Sequence, residues 1–220
     1  MNPISAFAVA GLLFYPSLAG ADTVTEPLKI EFPKPQFQGT PVPVGGIKNL
    51  EKPGNAVKSI PVAKGSVLIS KEKTVTSSET NPSIGDLPWI TDGDKEGGDG
   101  SFVELGPGAQ WVQIDLGAEF NISAVAIWHY HKQARIYKGV VVEVGSDKEL
   151  NGGTIVFNND TDNTVGKGAG RDPAYVETNH GRIVDAKGAK GRYVRLWSNG
   201  NHVDDLNHYV EVEVFGVPAK

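Results

Sequence analysis

In several stretches after residue 65, the chain alternates hydrophobic and polar residues with the two-residue period of β-strands that bury one face. In the segment 111–117, Val112, Ile114 and Leu116 share one face, while polar residues and a tryptophan occupy the other. The segment 122–130 is apolar on both faces and therefore predicts a central strand that is covered on both sides. Strands are also predicted at 139–145, 154–157, 192–198 and 209–215.

The last predicted strand has the clearest alternation. Val210, Val212 and Val214 are expected to face the core. Glu211 and Glu213 lie between them and are expected to face away from it. Loops rich in Gly, Asn and Asp separate the strands, and no crossover helices are apparent between them. This pattern predicts an all-β protein, an antiparallel jelly-roll β-sandwich.

Residues 22–65 contain seven of the chain's 14 prolines and precede the strand-rich region. Proline fixes φ, lacks an amide donor and pushes the preceding residue towards extended geometry, so this segment is predicted to be an extended Pro-rich arm. Its apolar residues leave two alternatives open, a free tether or a strap that lies on the following domain. The sandwich is expected at 66–217, followed by a tail at 218–220.

Residues 1–21 carry no charge, and their apolar run ends in the small residues Ala19, Gly20 and Ala21. This order is typical of a secretory signal peptide with cleavage after Ala21. A membrane anchor is the alternative, although the run is shorter than the ~20 residues that a span needs. We therefore expect a secreted, periplasmic or cell-surface protein.

Composition removes several function classes. The chain has no cysteine, which excludes disulfides, zinc–thiolate sites, iron–sulfur clusters and thiol catalysis. Its 21 basic and 26 acidic residues give a net charge of −5 without a long basic run, so nucleic-acid binding is not favoured. A pair of carboxylates for glycoside hydrolysis remains an open alternative, because such residues can lie far apart in sequence.

Four short motifs stand in order at the spacing of one domain. They are DGD at 92–94, WVQIDLG at 111–117, GRYVRL at 191–196 and VEVEVFG at 210–216. Together they resemble the discoidin domain family, also called coagulation factor five/eight type C, over roughly residues 66–217. The resemblance implies a galactose-binding-domain-like jelly roll, a fold shared by many carbohydrate-binding modules, and modules of this kind occur in exported bacterial proteins.

The resemblance also implies a structural calcium ion where the DGD loop meets the last strand. Carried onto this sequence, the ligands are Asp92, Asp94, Asp99, the carbonyl of Val210 and Glu211. Calcium takes six to eight oxygen ligands, which carboxylates and backbone carbonyls supply. The alternative is a solvated acidic turn without an ion.

Two polar loops, 129–137 and 199–208, are expected to lie near each other at one end of the fold. Sugar-binding members of the family imply a shallow site in which an aromatic ring stacks on the sugar and polar side chains bond its hydroxyls. The expected ligand contacts are His131, Arg135, Tyr137, Asn199 and Asn201. The alternative is that these side chains satisfy loop carbonyls and neighbouring carboxylates.

Other side chains have narrower interpretations. His129 and His131 share one strand face, which raises the alternative of a zinc site completed by His208 or an acid. Arg195 is expected to be a structural partner of Asp115 or of a glutamate.

The sequence thus predicts an exported, non-catalytic binding module without a transmembrane span. Its expected ligand is a carbohydrate or another polar cell-envelope ligand, and calcium is its expected ion. Two alternatives remain, a structural or adhesive envelope protein that binds another protein, and a glycoside-acting hydrolase.

Overall fold

The computed structural model describes residues 24–36, 45–52, 54 and 57–219. The predicted signal peptide at 1–21 lies outside these residues. The strands are β1 Thr25–Pro27, β2 Pro61–Ala63, β3 Val67–Leu68, β4 Thr74–Ser77, β5 Val103–Leu105, β6 Gln110–Trp128, β7 Val141–Gly145, β8 Thr154–Asn158, β9 Arg182–Ser198, β10 Asn207–Tyr209 and β11 Glu211–Pro218. A short 3₁₀ turn spans Leu87–Thr91. No helix of the described part of the chain is long and apolar enough to cross a membrane.

The long strands β6 and β9 form the antiparallel spine of the fold. The first half of β6 pairs with the second half of β9, and the register shifts between Asp115 and Phe120 before the other halves pair. The first half of β6 is flanked by β4, whereas its second half is flanked by β11. β7 and β8 extend the sheet from the second half of β9. Each long strand therefore contributes one half to each layer of a sandwich.

The core lies between these two layers. Val112, Ile114 and Leu116 are buried in it, as the alternation in the sequence predicted. Val142 of β7 and Val214 of β11 pack into the same cluster. The all-β antiparallel sandwich is thereby confirmed.

Two of the predicted strand boundaries are wrong. The predicted strands 111–117 and 122–130 are parts of the single strand β6, which continues through the register shift. β9 begins at Arg182 rather than at residue 192. The stretch that begins β9 is rich in Lys and Gly and shows little period of its own, so its strand conformation comes from pairing with β6.

Glu211 and Glu213 face away from the central core, as expected, but this face does not meet solvent. Both are buried, because the outer face of this layer is covered by a second hydrophobic cluster. Leu28 and Val62 from the N-terminal arm pack there against the outer face of β6. Val210 belongs to this second cluster and not to the central core.

The described parts of the Pro-rich arm lie on the sandwich. β1 pairs with β2, and the amide of Leu28 donates to the carbonyl of Ile60 at 2.9 Å. Further along, Leu50 forms a parallel bridge with Ala174. The strap alternative therefore describes these residues better than the free tether.

Candidate functional site

The loops 129–137 and 199–208 meet at one end of the sandwich. Tyr137 and Asn201 form an antiparallel bridge, and the amide of Asn199 donates to the carbonyl of Lys138 at 2.7 Å. Arg135 donates to the Asp204 carboxylate at 2.6 Å. These contacts join the two loops into one surface.

A groove with a volume of about 470 Å³ opens beside this junction. Three chain segments and a few single residues line it, namely 46–48, 136–139, 159–162, Thr164, Ala174, Asn199 and Asp205. Gly139 lies in the lining with a φ of +60°, and a Cβ there would come within 3.0 Å of the Asn199 Cβ. Glycine is therefore needed at this position for the loops to approach so closely.

Asn159 lines the groove and has a side-chain donor without a protein partner. Its side chain is only 7% exposed, and its Oδ1 accepts the amide of Val140 at 2.8 Å. Its Nδ2 is buried without a protein partner. A buried donor that lacks a partner costs free energy unless a water or ligand oxygen accepts from it.

The neighbouring Asp160 is engaged within the loop. Its carboxylate accepts from the amide and hydroxyl of Thr164 and from the amide of Val165, at 2.8 to 3.1 Å. Asp162, Asp205, Lys48 and Lys138 also line the groove, and all four are exposed. The groove therefore combines donors and acceptors.

Two of the five predicted ligand residues, Tyr137 and Asn199, line this groove. Tyr137 is 1% exposed, its ring stacks on His129 at 4.2 Å, and its hydroxyl lies 3.0 Å from His208 Nδ1. Burial raises the pKa of Tyr137 well above its usual range, so the phenol is neutral.

The other three, His131, Arg135 and Asn201, do not line it. His131 is buried with its Nε2 at 2.8 Å from the carbonyl of Lys95. Asn201 donates to Asp204 at 2.6 Å and to the carbonyl of Leu206. In the structure these side chains hold loops in place, as the structural alternative anticipated.

His129 and Glu177 form a fully buried pair beneath the loops, with Nδ1 and Oε2 3.1 Å apart. Burial lowers the pKa of His129 to about 3 and raises that of Glu177 well above its usual range. His129 is therefore neutral at pH 7. His208 instead lies 3.1 Å from Glu104. Within the described ranges, no group of three or more His, Asp and Glu side chains is placed to hold a metal ion.

Of the predicted calcium ligands, four gather around one small cavity and one does not. Asp92, Asp94 and Val210 line a cavity of about 110 Å³ with Trp89 and Ser101. Glu211 lies beside it, where its Oε2 accepts the amide of Gly93 at 3.1 Å. Asp99 is directed elsewhere, because its side chain is 90% exposed and lies 3.2 Å from Lys132 Nζ.

Glu211 has an unfavourable environment for a charge. It is 1% exposed, and burial raises its pKa to about 9, with repulsion from Glu213 and Asp92 adding to the effect. Glu213 differs because Lys95 Nζ lies 2.9 Å from its carboxylate. Both glutamates of β11 are thus buried, but only Glu213 forms an ion pair with a lysine.

The structure does not pair Arg195 with Asp115, one of its two expected partners. The other expectation, a glutamate, has a candidate in Glu143, which lies opposite Arg195 in the register of β7 and β9. Arg192 binds Asp115 through two hydrogen bonds of 2.6 and 2.8 Å, and this contact lowers the pKa of Asp115. Arg195 donates to Gln113 at 2.8 Å and lies 4.3 Å from the ring centre of Trp111. The exchange follows from register, since Asp115 pairs with Tyr193, next to Arg192, and Gln113 pairs with Arg195.

Two antiparallel layers joined by long strands, with loops clustered at one end, define a galactose-binding-like β-sandwich. Residues 90–196 match the F5/8 type C family model described as a NedA-like, galactose-binding domain. Comparison with curated proteins gives no match.

Solved structures share the fold. A family 89 glycoside hydrolase from Clostridium perfringens is 19% identical with a TM-score of 0.51, over 70% of this chain and 15% of that one. Truncated AlyQ, with CBM32 and alginate lyase domains, is 22% identical with a TM-score of 0.51, over 70% of this chain and 34% of that one. The CBM32 of AlyQ, in complex with 4,5-unsaturated mannuronic acid, is 24% identical with a TM-score of 0.48, over 64% and 93% of the two chains. The chain spans much less than two thirds of the first two proteins.

Proposed function

We propose that this protein is an exported, non-catalytic carbohydrate-binding module whose ligand occupies the groove beside the joined loops. The observation that carries the proposal is the unpartnered Nδ2 of Asn159, a buried donor in the lining of a groove of about 470 Å³. Ligand sites typically have volumes of about 300–1,000 Å³. The F5/8 type C fold and the resemblance to CBM32 domains support the same ligand class.

The groove chemistry suits hydroxyl groups. A sugar hydroxyl both donates and accepts, so it pairs equally well with an amide N–H or ammonium and with a carboxylate. Asn159 and Lys138 supply donors, whereas Asp162 and Asp205 supply acceptors. Few aromatic atoms are available for stacking, because Tyr137 is 1% exposed. Hydrogen bonds would therefore dominate recognition.

Binding is favoured over glycoside hydrolysis by the state of the carboxyl groups. A general acid at neutral pH needs a raised pKa. Glu177 and Glu211 have raised pKa values, but neither lines the groove. In the groove, Asp160 is engaged by its own loop and the pKa of Asp162 is lowered by its hydrogen bonds with Asp160 and Thr164. The groove therefore has no carboxyl group with the raised pKa that a general acid needs, among those with a resolved shift.

We further propose that calcium binds at the small cavity between the acidic loop and β11. Asp92, Asp94, Glu211 and the carbonyl of Val210 are the proposed ligands, without Asp99. Among the described residues these carboxylates do not converge on one point, so calcium would have to draw the side chains of Asp92 and Asp94 towards Glu211. The fit rests on Glu211, a buried carboxylate close to two other acids and without a cation of its own. The ion would supply the missing positive charge and tie the loop to the last strand. The signal-like segment 1–21 supports export.

The groove is tested by calorimetric titration of the mature protein with three trisaccharides of different charge. They are a neutral N-acetylglucosamine trimer, a cationic glucosamine trimer and an anionic mannuronate trimer. We expect at least one to bind. In Asn159→Asp the remaining oxygen still accepts the Val140 amide, but the free donor is lost, so affinity should fall about tenfold or more.

Asn163→Asp is the matched control, since it makes the same chemical change in the same loop outside the groove lining. There the substituted side chain keeps the oxygen that accepts the amide of Gly168. Affinity equal to wild type in Asn159→Asp would remove the groove from the proposal. If none of the three sugars binds, the alternative of a protein-binding envelope protein gains support.

A further inference from the structure

We propose that a strap from the N-terminal arm forms one wall of the ligand groove and that Lys48 on this wall contacts the bound sugar. This inference rests on the proposed carbohydrate-binding function and deepens it. The strap is defined here as the described residues 45–52. Its residues Gly46, Ile47 and Lys48 line the groove. The other lining segments begin about ninety residues further along the chain.

The strap is held to the sandwich immediately after these wall residues. Leu50 bridges Ala174 in parallel, the amide of Glu51 donates to the Ala174 carbonyl at 2.9 Å, and the amide of Ala174 donates to the Asn49 carbonyl at 3.0 Å. The Asn49 side chain donates to the carbonyls of Arg171 and Asp172, each at 3.1 Å. Three consecutive strap residues therefore have fixed partners.

An ion pair joins the same segment to the aromatic side of the core. Glu51 lies 2.8 Å from Arg182, and both side chains are largely buried. The Arg182 guanidinium in turn lies 4.9 Å from the ring centre of Tyr175 and 5.1 Å from that of Phe157. Because Tyr175 and Phe157 belong to the main core, the strap is anchored to that core.

The consequence is a composite site. The family match covers residues 90–196, so the strap wall lies outside the matched region. Asn159 of the sandwich and Lys48 of the strap line the same groove, and the Lys48 ammonium offers three donors to a ligand bound there. Lys48 is exposed, so it can meet a ligand without first losing a buried protein partner. Affinity and sugar preference should therefore depend on the strap as well as on the loops.

The test compares Lys48→Ala with Lys52→Ala in the mature protein. Both remove one exposed lysine from the same strap, but only Lys48 lines the groove. Each variant is titrated calorimetrically with the N-acetylglucosamine, glucosamine and mannuronate trimers. Lys48→Ala should weaken binding about five- to tenfold, as expected for the loss of a charge-assisted hydrogen bond, with Lys52→Ala unchanged.

The Asn159→Asp variant distinguishes failure of the strap inference from failure of the proposed function. If it loses affinity while Lys48→Ala binds as tightly as Lys52→Ala, the strap inference is overturned and the proposed function stands. If the wild-type protein binds none of the three sugars, both are overturned. A loss of sugar affinity in Lys48→Ala that Lys52→Ala does not show supports the composite site.

Discussion

Replacing Glu211 by glutamine should stabilise the calcium-free protein at neutral pH. Glu211 is buried beside Glu213 and Asp92, and its pKa is raised to about 9 in the folded state. The unfolded chain releases this proton near the ordinary value of 4.5. Between these values the folded state binds more protons than the unfolded state, so stability falls as pH rises. Glutamine removes the titration and keeps an oxygen for the amide of Gly93.

The magnitude follows from the distance between the pKa values. About 2.5 pH units separate the unfolded value from pH 7, and each unit is worth about 1.4 kcal/mol, so the upper bound is about 3.5 kcal/mol. The contribution is fully present below about pH 4.5 and is lost progressively up to about pH 9. Calcium that binds the ionised carboxylate should reduce this loss, because an ion that binds only the folded state stabilises it.

The assay is urea unfolding followed by tryptophan fluorescence at pH 5 and pH 8, with a chelator or with calcium. Wild type in chelator should lose stability between the two pH values more steeply than Glu211→Gln. Calcium should stabilise wild type at pH 8 and have little effect on the variant.

Glu213→Gln is the matched control two residues along the same strand. This carboxylate pairs with Lys95 at 2.9 Å, so its neutralisation should destabilise the fold rather than stabilise it. A Glu211→Gln variant less stable than wild type at pH 8 in chelator would refute the reasoning about Glu211. Unfolding of wild type that ignores calcium at pH 8 would refute the proposed calcium site.

Two further predictions concern packing. Leu28→Ala should lower the free energy of unfolding by about 2–3 kcal/mol, because Leu28 is buried against the outer face of β6. Lys29 is exposed, so Lys29→Ala should change the free energy of unfolding little. Equal urea midpoints for the two variants would contradict the docked arm. Tyr137→Ala should lower the free energy of unfolding by about 3–5 kcal/mol. Tyr137→Phe keeps the stacking on His129 and loses only the contact with His208. The alanine variant should therefore unfold at a clearly lower temperature than the phenylalanine variant.

The local pattern of the sequence determined the architecture. Alternating residues such as Val112 and Ile114 must bury one face, and a strand like 122–130 with two apolar faces must be covered on both. The motif order also determined the family. These properties depend on side-chain period and short-range order, which are visible in one dimension.

The site depended on tertiary structure. Polar loop residues that satisfy the loops themselves, such as His131 and Asn201, have the same composition as residues that face a ligand, and only their partners distinguish them. The sequence analysis missed Asn159, because its unpaired donor is a product of the fold. Its Oδ1 accepts the amide of Val140, and its Nδ2 has no protein partner. The sequence signal was slight, a run of two asparagines and an aspartate after β8.

The two glutamates of β11 show the same division. Period alone placed Glu211 and Glu213 on the face opposite the core, which is where they lie, but it did not reveal that the Pro-rich arm covers that face. Contacts between residues far apart in sequence decide whether a polar face meets water, a partner or another segment. The pattern of the chain therefore determined the sandwich, and the packing of the arm and loops decided which of its polar groups remain free to bind.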